Sequence, residues 1–418
     1  MRWRTVEDVA SGAVRRRQWP AAGIAVLVSV LVSVLAVTAP GPALAAPAAP
    51  VPTPTPEPAL PGQGPGGEPV GGIRLGTVNV QVPAGAPALP ANISARGWVL
   101  ADLDSGDVLA ARDAHGRFPP ASTLKVLTAL TLLPRLTDKK RVIACVDADV
   151  DVDGTRVGLV PRGRYTVDVL FQSMLMASGN DAANTLARVY GGVPKTLAAM
   201  NAEARRLQAF DTHAATPSGL DGPRQLTSAY DLALISRAAL ARADFQRYST
   251  QRKGRIPAQK PKFGAFEFAN GNRLLYNYPG AIGGKNGFTD AARHTFVGAA
   301  RRGSRRLVVT FLHGEHRPTS LSEQAARMLD WGFSLRPAVA PVGTLVEPAD
   351  PGAPPPTPSA APATPVPPTP AESAPLPAGE RDRATKRNGV PTAALAGGIV
   401  GLTALLWAGM AVARRRRP

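Results

Sequence analysis

The chain has 418 residues but only one cysteine, Cys145. A single cysteine excludes an intramolecular disulfide, so an exported domain would have to be stable through packing alone. It also argues against a thiol nucleophile and a cysteine-based zinc site, and the sequence contains neither a CxxC pair nor an HExxH motif. His313 and His316 stand in the sequence HGEH, but no third ligand is evident. The sequence therefore predicts no metal and no other cofactor.

Acidic residues are also scarce. The 30 Asp and Glu face 48 Lys and Arg, which gives a formal net charge of +18. A basic surface suggests an anionic partner. For a domain outside the cell, a location that the apolar segments described below predict, anionic wall polymer or lipid head groups suit this charge better than nucleic acid, which we do not expect to bind. The alternative explanation is a generally basic proteome, since Ala, Arg, Pro and Gly are all abundant.

Two stretches lack the large apolar side chains that a core requires. Residues 46–91 are rich in Pro and Gly and are predicted to be a linker, and residues 338–391 are predicted to be a Pro-rich stalk. Between them, residues 92–337 are enough for one sizeable core. The sequence thus predicts a single catalytic domain. Its oligomeric state does not follow from the sequence.

Two other segments are apolar enough for a membrane. Residues 21–39 follow three arginines and precede Ala43-Leu44-Ala45, so residues 1–45 are expected to be a signal peptide, with an uncleaved anchor as the alternative. Residues 392–413 are long enough to cross about 30 Å of hydrocarbon, and the basic tail 414–418 follows. Since positive residues stay in the cytoplasm, we expect a cell-membrane protein whose domain lies outside.

Apolar periodicity and turn residues predict an α/β (α+β) fold, in which an antiparallel sheet packs on a helical cluster. A hairpin is predicted at 97–111, and strands at 142–152, 281–289, 295–301 and 307–312. Helices are predicted at 122–133, 166–177, 181–190, 195–207, 228–241 and 321–331.

Three short motifs could carry chemistry. Ser122 precedes Lys125 by three residues, so both lie on one face of the predicted helix, and a lysine with a lowered pKa could accept the serine proton. Ser178-Gly179-Asn180 breaks the helical periodicity with two polar side chains. Lys285-Asn286-Gly287-Phe288-Thr289 places a cation on a predicted edge strand. Each motif has an ordinary structural explanation: a helix N-cap beside a solvated lysine, a polar turn, and a Gly-rich hairpin.

The order and spacing of the motifs are more specific. S-x-x-K, then S-x-N about 55 residues later, then K-x-G resembles the active-site set of the penicillin-interactive serine enzymes. PASTLK, MASGNDAAN, PSGLD and TSAYDLA extend the likeness to the D-alanyl-D-alanine carboxypeptidases, the low-molecular-mass penicillin-binding proteins. The resemblance covers about residues 97–333. It implies a β-lactamase/transpeptidase-like fold.

The resemblance also implies a mechanism on the D-Ala-D-Ala end of peptidoglycan stem peptides. Ser122 would attack the carbonyl between the two D-alanines, and Lys125 would take its proton. Ser178 would pass the proton to the leaving D-alanine, and Asn180 would position the substrate. Lys285 would bind the terminal carboxylate, helped by Asn286, Gly287, Phe288 and Thr289, with the N–H groups of Ser122 and Phe288 as the oxyanion hole. β-Lactams would acylate Ser122.

One departure from the family pattern leaves alternatives open. The third motif is usually KTG or KSG, whereas this chain has Asn286 in place of the hydroxyl residue. The alternative is a degenerate module that binds stem peptide or penicillin without turnover. A β-lactamase is disfavoured, because neither Glu203 nor Glu267 stands in the context of a water-activating glutamate.

Overall fold

The computed structural model describes residues 61–64, 67–336 and 339–349. Within them, short 3₁₀ turns cover Ile73–Gly76 and Ala121–Leu124. The helices are α1 Lys125–Leu132, α2 Asp147–Val150, α3 Val167–Met176, α4 Asn180–Tyr190, α5 Val193–Arg206, α6 Ala229–Leu240, α7 Ala243–Thr250, α8 Leu274–Asn277 and α9 Leu321–Ser334. The strands are β1 Val80–Gln81, β2 Gly97–Asp102, β3 Asp107–Arg112, β4 Val142–Ala144, β5 Arg164–Thr166, β6 Lys253–Ile256, β7 Phe266–Ala269, β8 Ala281–Thr289, β9 Arg293–Arg302, β10 Arg305–Gly314 and β11 Gly343–Thr344.

A seven-stranded antiparallel sheet runs in the order β1-β3-β2-β10-β9-β8, and β11 also pairs with β3. Alternate side chains along β2 enter two different cores, as the period of a strand requires. Val99 and Ala101 face the main helical cluster, whereas Trp98 and Leu100 face α9. The fold is therefore an antiparallel sheet between a helical cluster and one long helix, which confirms the predicted α/β (α+β) class.

Side-chain caps start three of the helices close to the predicted positions. Thr166, Ser228 and Ser320 accept hydrogen bonds from the backbone N–H groups of Val169, Asp231 and Glu323, respectively. Such caps satisfy donors that the first turn leaves unpaired.

The strand predicted at 142–152 is wrong beyond Ala144. The chain turns there into α2, because the Asp149 carboxylate accepts the Val146 N–H at 3.0 Å and pairs with Arg188. A polar side chain that bonds its own backbone competes with a strand ladder.

The folded unit extends past the predicted boundaries at both ends. Leu75 is 1% exposed within the main core, and β1 pairs with β3, although both lie in the predicted linker. Leu345, assigned to the stalk, is also buried. These few apolar residues become ordered because β3 pairs with the nearby strands β1 and β11, and because the main core buries the side chains of Leu75 and Leu345. Among the described residues no helix is long and apolar enough to cross a bilayer. The predicted segments 1–45 and 392–413 lie outside the described residues.

Candidate active site

Ser122 lies in the 3₁₀ turn that leads into α1, where the backbone is held from several sides. Ala121 before it is fully buried with a positive φ of 47°, a conformation that non-glycine residues rarely adopt. The Pro120 carbonyl accepts hydrogen bonds from Thr123 Oγ1 at 2.6 Å and Thr295 Oγ1 at 2.9 Å. Strain of this kind persists only where surrounding contacts impose it. Ser122 caps neither helix, so its hydroxyl is available for chemistry.

Lys125 is completely buried and makes three hydrogen bonds. Its Nζ lies 2.9 Å from Ser122 Oγ, 2.7 Å from Asn180 Oδ1 and 2.6 Å from the Ser218 carbonyl oxygen. Burial, and then the charge of Lys285, hold the pKa of Lys125 well below its usual value, although Asp181 opposes them. A lysine with a lowered pKa can exist as the neutral amine that accepts a proton. The solvated lysine of the ordinary structural explanation is therefore excluded.

The Ser178-Gly179-Asn180 motif joins α3 to α4. Ser178 has a φ of 61°, and Asn180 begins α4 and is 2% exposed. Asn180 Nδ2 donates to the Asp153 carbonyl at 2.7 Å, so the same amide holds Lys125 and the 153–160 loop. The three acceptors of Lys125 Nζ do not include Ser178, which is half-buried and two residues before Asn180 in the chain. The structure thus joins Ser122, Lys125 and Asn180 directly and leaves the Ser178 role a prediction.

The neighbouring Asp181 fixes the loop that covers Asn180. Its buried carboxylate accepts the backbone N–H groups of Val157 at 3.1 Å and of Gly158 and Leu159 at 3.0 Å each. Hydrogen bonds to a charged acceptor are among the stronger ones in proteins. Asp181 therefore orders one wall of the site. Its negative charge also raises the pKa of Lys125, against the effect of burial.

The edge strand β8 forms the opposite wall. Lys285 is 1% exposed, and its Nζ donates to the Asn286 carbonyl at 2.6 Å. Burial lowers the pKa of Lys285 to about 7. Gly287 lies so close to the nucleophile that a Cβ there would stand 2.6 Å from the Ser122 backbone nitrogen. The two candidate oxyanion donors, on Ser122 and Phe288, therefore belong to segments that touch each other.

The side chains of Asn286, Phe288 and Thr289 point to different surroundings. Asn286 is exposed, and its backbone stays in register with Phe296 of β9. Phe288 is 48% exposed and packs against the His294 ring at 4.6 Å. Thr289 Oγ1 donates to Asp221 Oδ1 at 2.9 Å and accepts the Ala292 N–H at 3.0 Å. The Thr289 hydroxyl is thus already engaged in a turn.

The site also contains residues whose roles are not predictable from the sequence motifs. The Ser218 carbonyl holds Lys125, and Gly219 allows this approach because a Cβ there would lie 1.9 Å from the Ala121 carbonyl oxygen. Gly219 has a φ of 84°, which glycine adopts readily. Thr295 fixes Pro120 from β9. The PSGLD segment belongs to the family likeness and could have indicated this position. However, the Lys125 acceptor there is the Ser218 backbone carbonyl, and a role for a backbone atom cannot be recognised from the type of side chain.

One buried cluster has the composition of a metal site. Ligand atoms of His115, Asp211 and Asp231 lie within 4.8 Å of one another. However, the His115 ring nitrogens already contact two acceptors, Asp211 Oδ2 at 2.9 Å and the Val70 carbonyl at 3.0 Å. Burial raises the pKa of Asp231 to about 8, which favours the protonated acid. Metal ligands must be deprotonated, so these residues suit an internal ion pair better than a metal. His316 stacks on His294 at 3.8 Å and is not one of the residues of this cluster.

Comparisons with known proteins agree with this geometry. The D-alanyl-D-alanine carboxypeptidase family matches residues 83–315. D-alanyl-D-alanine carboxypeptidase DacB2 of Mycobacterium tuberculosis is 48% identical over 268 residues, which are 63% of this chain and 90% of that protein. The DacD carboxypeptidase of Salmonella typhimurium is 33% identical over 261 residues, 59% of this chain and 64% of that one. The chain thus spans most of the first relative and somewhat under two thirds of the second.

Solved structures show the same fold. A D-alanyl-D-alanine carboxypeptidase from Mycobacterium tuberculosis superposes with a TM-score of 0.60 at 45% identity, covering 63% of this chain and 99% of that chain. A Streptomyces DD-transpeptidase superposes with a TM-score of 0.56 at 25% identity, covering 60% of this chain and 100% of its own. The predicted transpeptidase-like fold is confirmed. From the family match, the degree of identity and the shared fold, the chain belongs to the D-alanyl-D-alanine carboxypeptidase family.

Proposed function

We propose that the protein is a serine D,D-carboxypeptidase that removes the terminal D-alanine from peptidoglycan stem pentapeptides. One observation carries the proposal: a fully buried lysine with a lowered pKa has its amine 2.9 Å from the hydroxyl of Ser122. A serine hydroxyl is a weak nucleophile until an adjacent base accepts its proton. The carboxypeptidase family provides the substrate class.

The reaction would proceed in two balanced steps. Ser122 Oγ forms a bond to the carbonyl carbon between the D-alanines, and its proton passes to Lys125 Nζ. The C–N bond then breaks, and D-alanine leaves with a proton delivered through Lys125 and Ser178. Water attacks the acyl-enzyme ester, restores the Ser122 hydroxyl and releases the shortened peptide. In both steps the N–H groups of Ser122 and Phe288 would stabilise the oxyanion.

Strand β8, through Lys285, would bind the carboxylate of the terminal D-alanine. Lys285 has a pKa of about 7, so a carboxylate placed against it favours the charged ammonium. The charge on Lys285 in turn favours the neutral form of Lys125. Substrate binding and base activation would therefore support each other. β-Lactams, which mimic the D-alanyl-D-alanine end, are proposed to acylate Ser122 by the same route.

The direct test compares D-alanine release from a stem pentapeptide by residues 61–349 and by their Ser122→Ala variant. This range contains all the described contacts, and the solved tuberculosis relative consists almost entirely of the matching region. We expect release that is lost in the variant. Equal release by both proteins would exclude Ser122 as the nucleophile.

The degenerate binding module remains the second candidate because of Asn286. Asn286 does not displace the strand, since β8 stays paired with β9 from Gly283 to Thr289. Asn286→Thr is expected to raise the rate of D-alanine release or of β-lactam acylation by up to about tenfold, since one neutral hydrogen bond contributes roughly 0.5–1.5 kcal/mol. The measurement is the second-order acylation constant with a labelled penicillin. Unchanged rates would show that Asn286 does not limit either reaction.

We further propose that the domain works outside the cell membrane. Residues 1–45 would direct export, and residues 392–413 would anchor the chain with the tail 414–418 in the cytoplasm. The apolar runs and the terminal arginines support this placement. The Pro-rich residues between the domain and the anchor would let the enzyme reach its substrate.

A further inference from the structure

The hairpin formed by β6 and β7 carries an unusual concentration of positive charge. Residues 253–266 contain four Lys and Arg and no Asp or Glu. Every residue from 260 to 267 is exposed. The first acidic side chain, Glu267, pairs in register with Arg255 and lies 4.0 Å from Lys253, so cations of the same hairpin offset its charge. The connection between the two strands is therefore purely basic.

Backbone contacts give this connection a defined shape. Gln259 and Phe263 exchange two backbone hydrogen bonds of 2.8 and 3.0 Å, which makes a tight turn with Lys260 and Lys262 on the outside. The Gln259 side chain also bonds the backbone N–H and carbonyl of Arg164, at 2.7 and 3.2 Å. These bonds tie the hairpin to the start of β5. They hold the turn against the segment that carries two further exposed cations, Arg162 and Arg164.

Apolar rings lie within the same surface. Phe263 is 51% exposed and Phe266 is 43% exposed, although most large apolar side chains of the domain are buried. We call this set the basic hairpin surface: Arg162, Arg164, Lys260, Lys262, Phe263 and Phe266. A polyanion in solution would need only the cations. A lipid surface with anionic head groups uses both kinds of residue, because cations stay at head-group level while aromatic rings enter the acyl boundary.

We propose that the basic hairpin surface docks the folded domain onto an anionic lipid membrane, with Phe263 and Phe266 inserted at the boundary between the head groups and the acyl chains. Charge complementarity and the two exposed rings together favour this partner. A Cβ at Gly158 would lie 3.5 Å from the Phe266 ring, so the surface adjoins the 153–160 loop that holds Asn180. Docking would therefore bring the active-site loop to the membrane surface. The proposal does not depend on the catalytic role of Ser122.

The test measures binding of residues 61–349 to phosphatidylcholine vesicles with and without phosphatidylglycerol. We expect binding that requires the anionic lipid and weakens with added salt. The double variant Lys260→Gln/Lys262→Gln is expected to bind about thirtyfold more weakly. Phe263→Ser is expected to bind about tenfold more weakly, and to do so at high salt as well.

Two control proteins sharpen the test. The double variant Arg205→Gln/Arg327→Gln removes the same charge from α5 and α9 and is expected to bind as the wild type does. Ser122→Ala is also expected to bind normally, so a failure of the catalytic proposal would leave this one intact. Equal binding to both vesicle types, or equal weakening in both double variants, would overturn the proposal. So would normal vesicle binding by Phe263→Ser together with polyphosphate binding that depends on Lys260 and Lys262, since that result would identify a polyanion site.

Discussion

Lys125→Met and Lys125→Arg are both expected to lower D-alanine release by about 100- to 10,000-fold, the usual contribution of a general base. Methionine fills a similar volume but cannot accept a proton. Arginine keeps the positive charge but does not lose its proton in proteins. The measurement is the single-turnover acylation rate with a labelled penicillin, followed by steady-state release of D-alanine.

The arginine variant separates two explanations of the buried cation. If Lys125 acts only through charge, for example by orienting Asn180 and Ser122, Lys125→Arg should retain much of the activity. If Lys125 is the base, both variants should fail alike. For the wild type, acylation should fall as the pH drops through the lowered pKa of Lys125, because protonation removes the lone pair. In both variants that acid limb should disappear. Circular dichroism of each protein checks that loss of activity is not loss of fold.

Gly287→Ala is expected to lower activity by about 100-fold or more, although it adds only one methyl group. The new Cβ would stand 2.6 Å from both the Ser122 backbone nitrogen and Thr295 Oγ1, and 3.1 Å from Ala121 Cβ. The Ser122 nitrogen belongs to the backbone and cannot rotate away. Strand β8 must therefore move away from the 3₁₀ turn that carries Ser122. A displacement of about 1 Å between reacting groups can cost about two orders of magnitude in rate.

The same substitution should also destabilise the domain by about 1–3 kcal/mol, as overpacking does. Gly264→Ala provides the matched control. Gly264 lies in the exposed hairpin, and a Cβ there would meet no atom within 4 Å. Thermal unfolding and acylation rates should therefore be unchanged in the control. Normal acylation by Gly287→Ala would show that the observed approach of β8 to Ser122 is not required for chemistry.

Much of the fold is readable from the sequence because it rests on local patterns. The Thr166, Ser228 and Ser320 caps and the alternation along β2 are signals within a few residues. The strand predicted beyond Ala144 failed because its valines alternate with aspartates, which imitates strand periodicity, while Asp149 forms a helix cap and an ion pair with Arg188. The pairing of Val80 and Gln81 with β3 also escaped prediction, since such short segments gain order only from the sheet.

The sequence by itself determined the kind of site: a serine and lysine one helical turn apart, a polar break between helices and a lysine between glycines, all in family order. Tertiary structure alone decided how these residues act. Lys125 meets Asn180 and Ser218, which are 55 and 93 residues away, and packing around all three excludes the water that would keep the lysine charged. Likewise, only the folded chain shows that Gly287 touches Ser122 and that Thr289 is held by Asp221. Both the lowered pKa and these contacts depend on the burial of distant segments against each other, which local sequence does not encode.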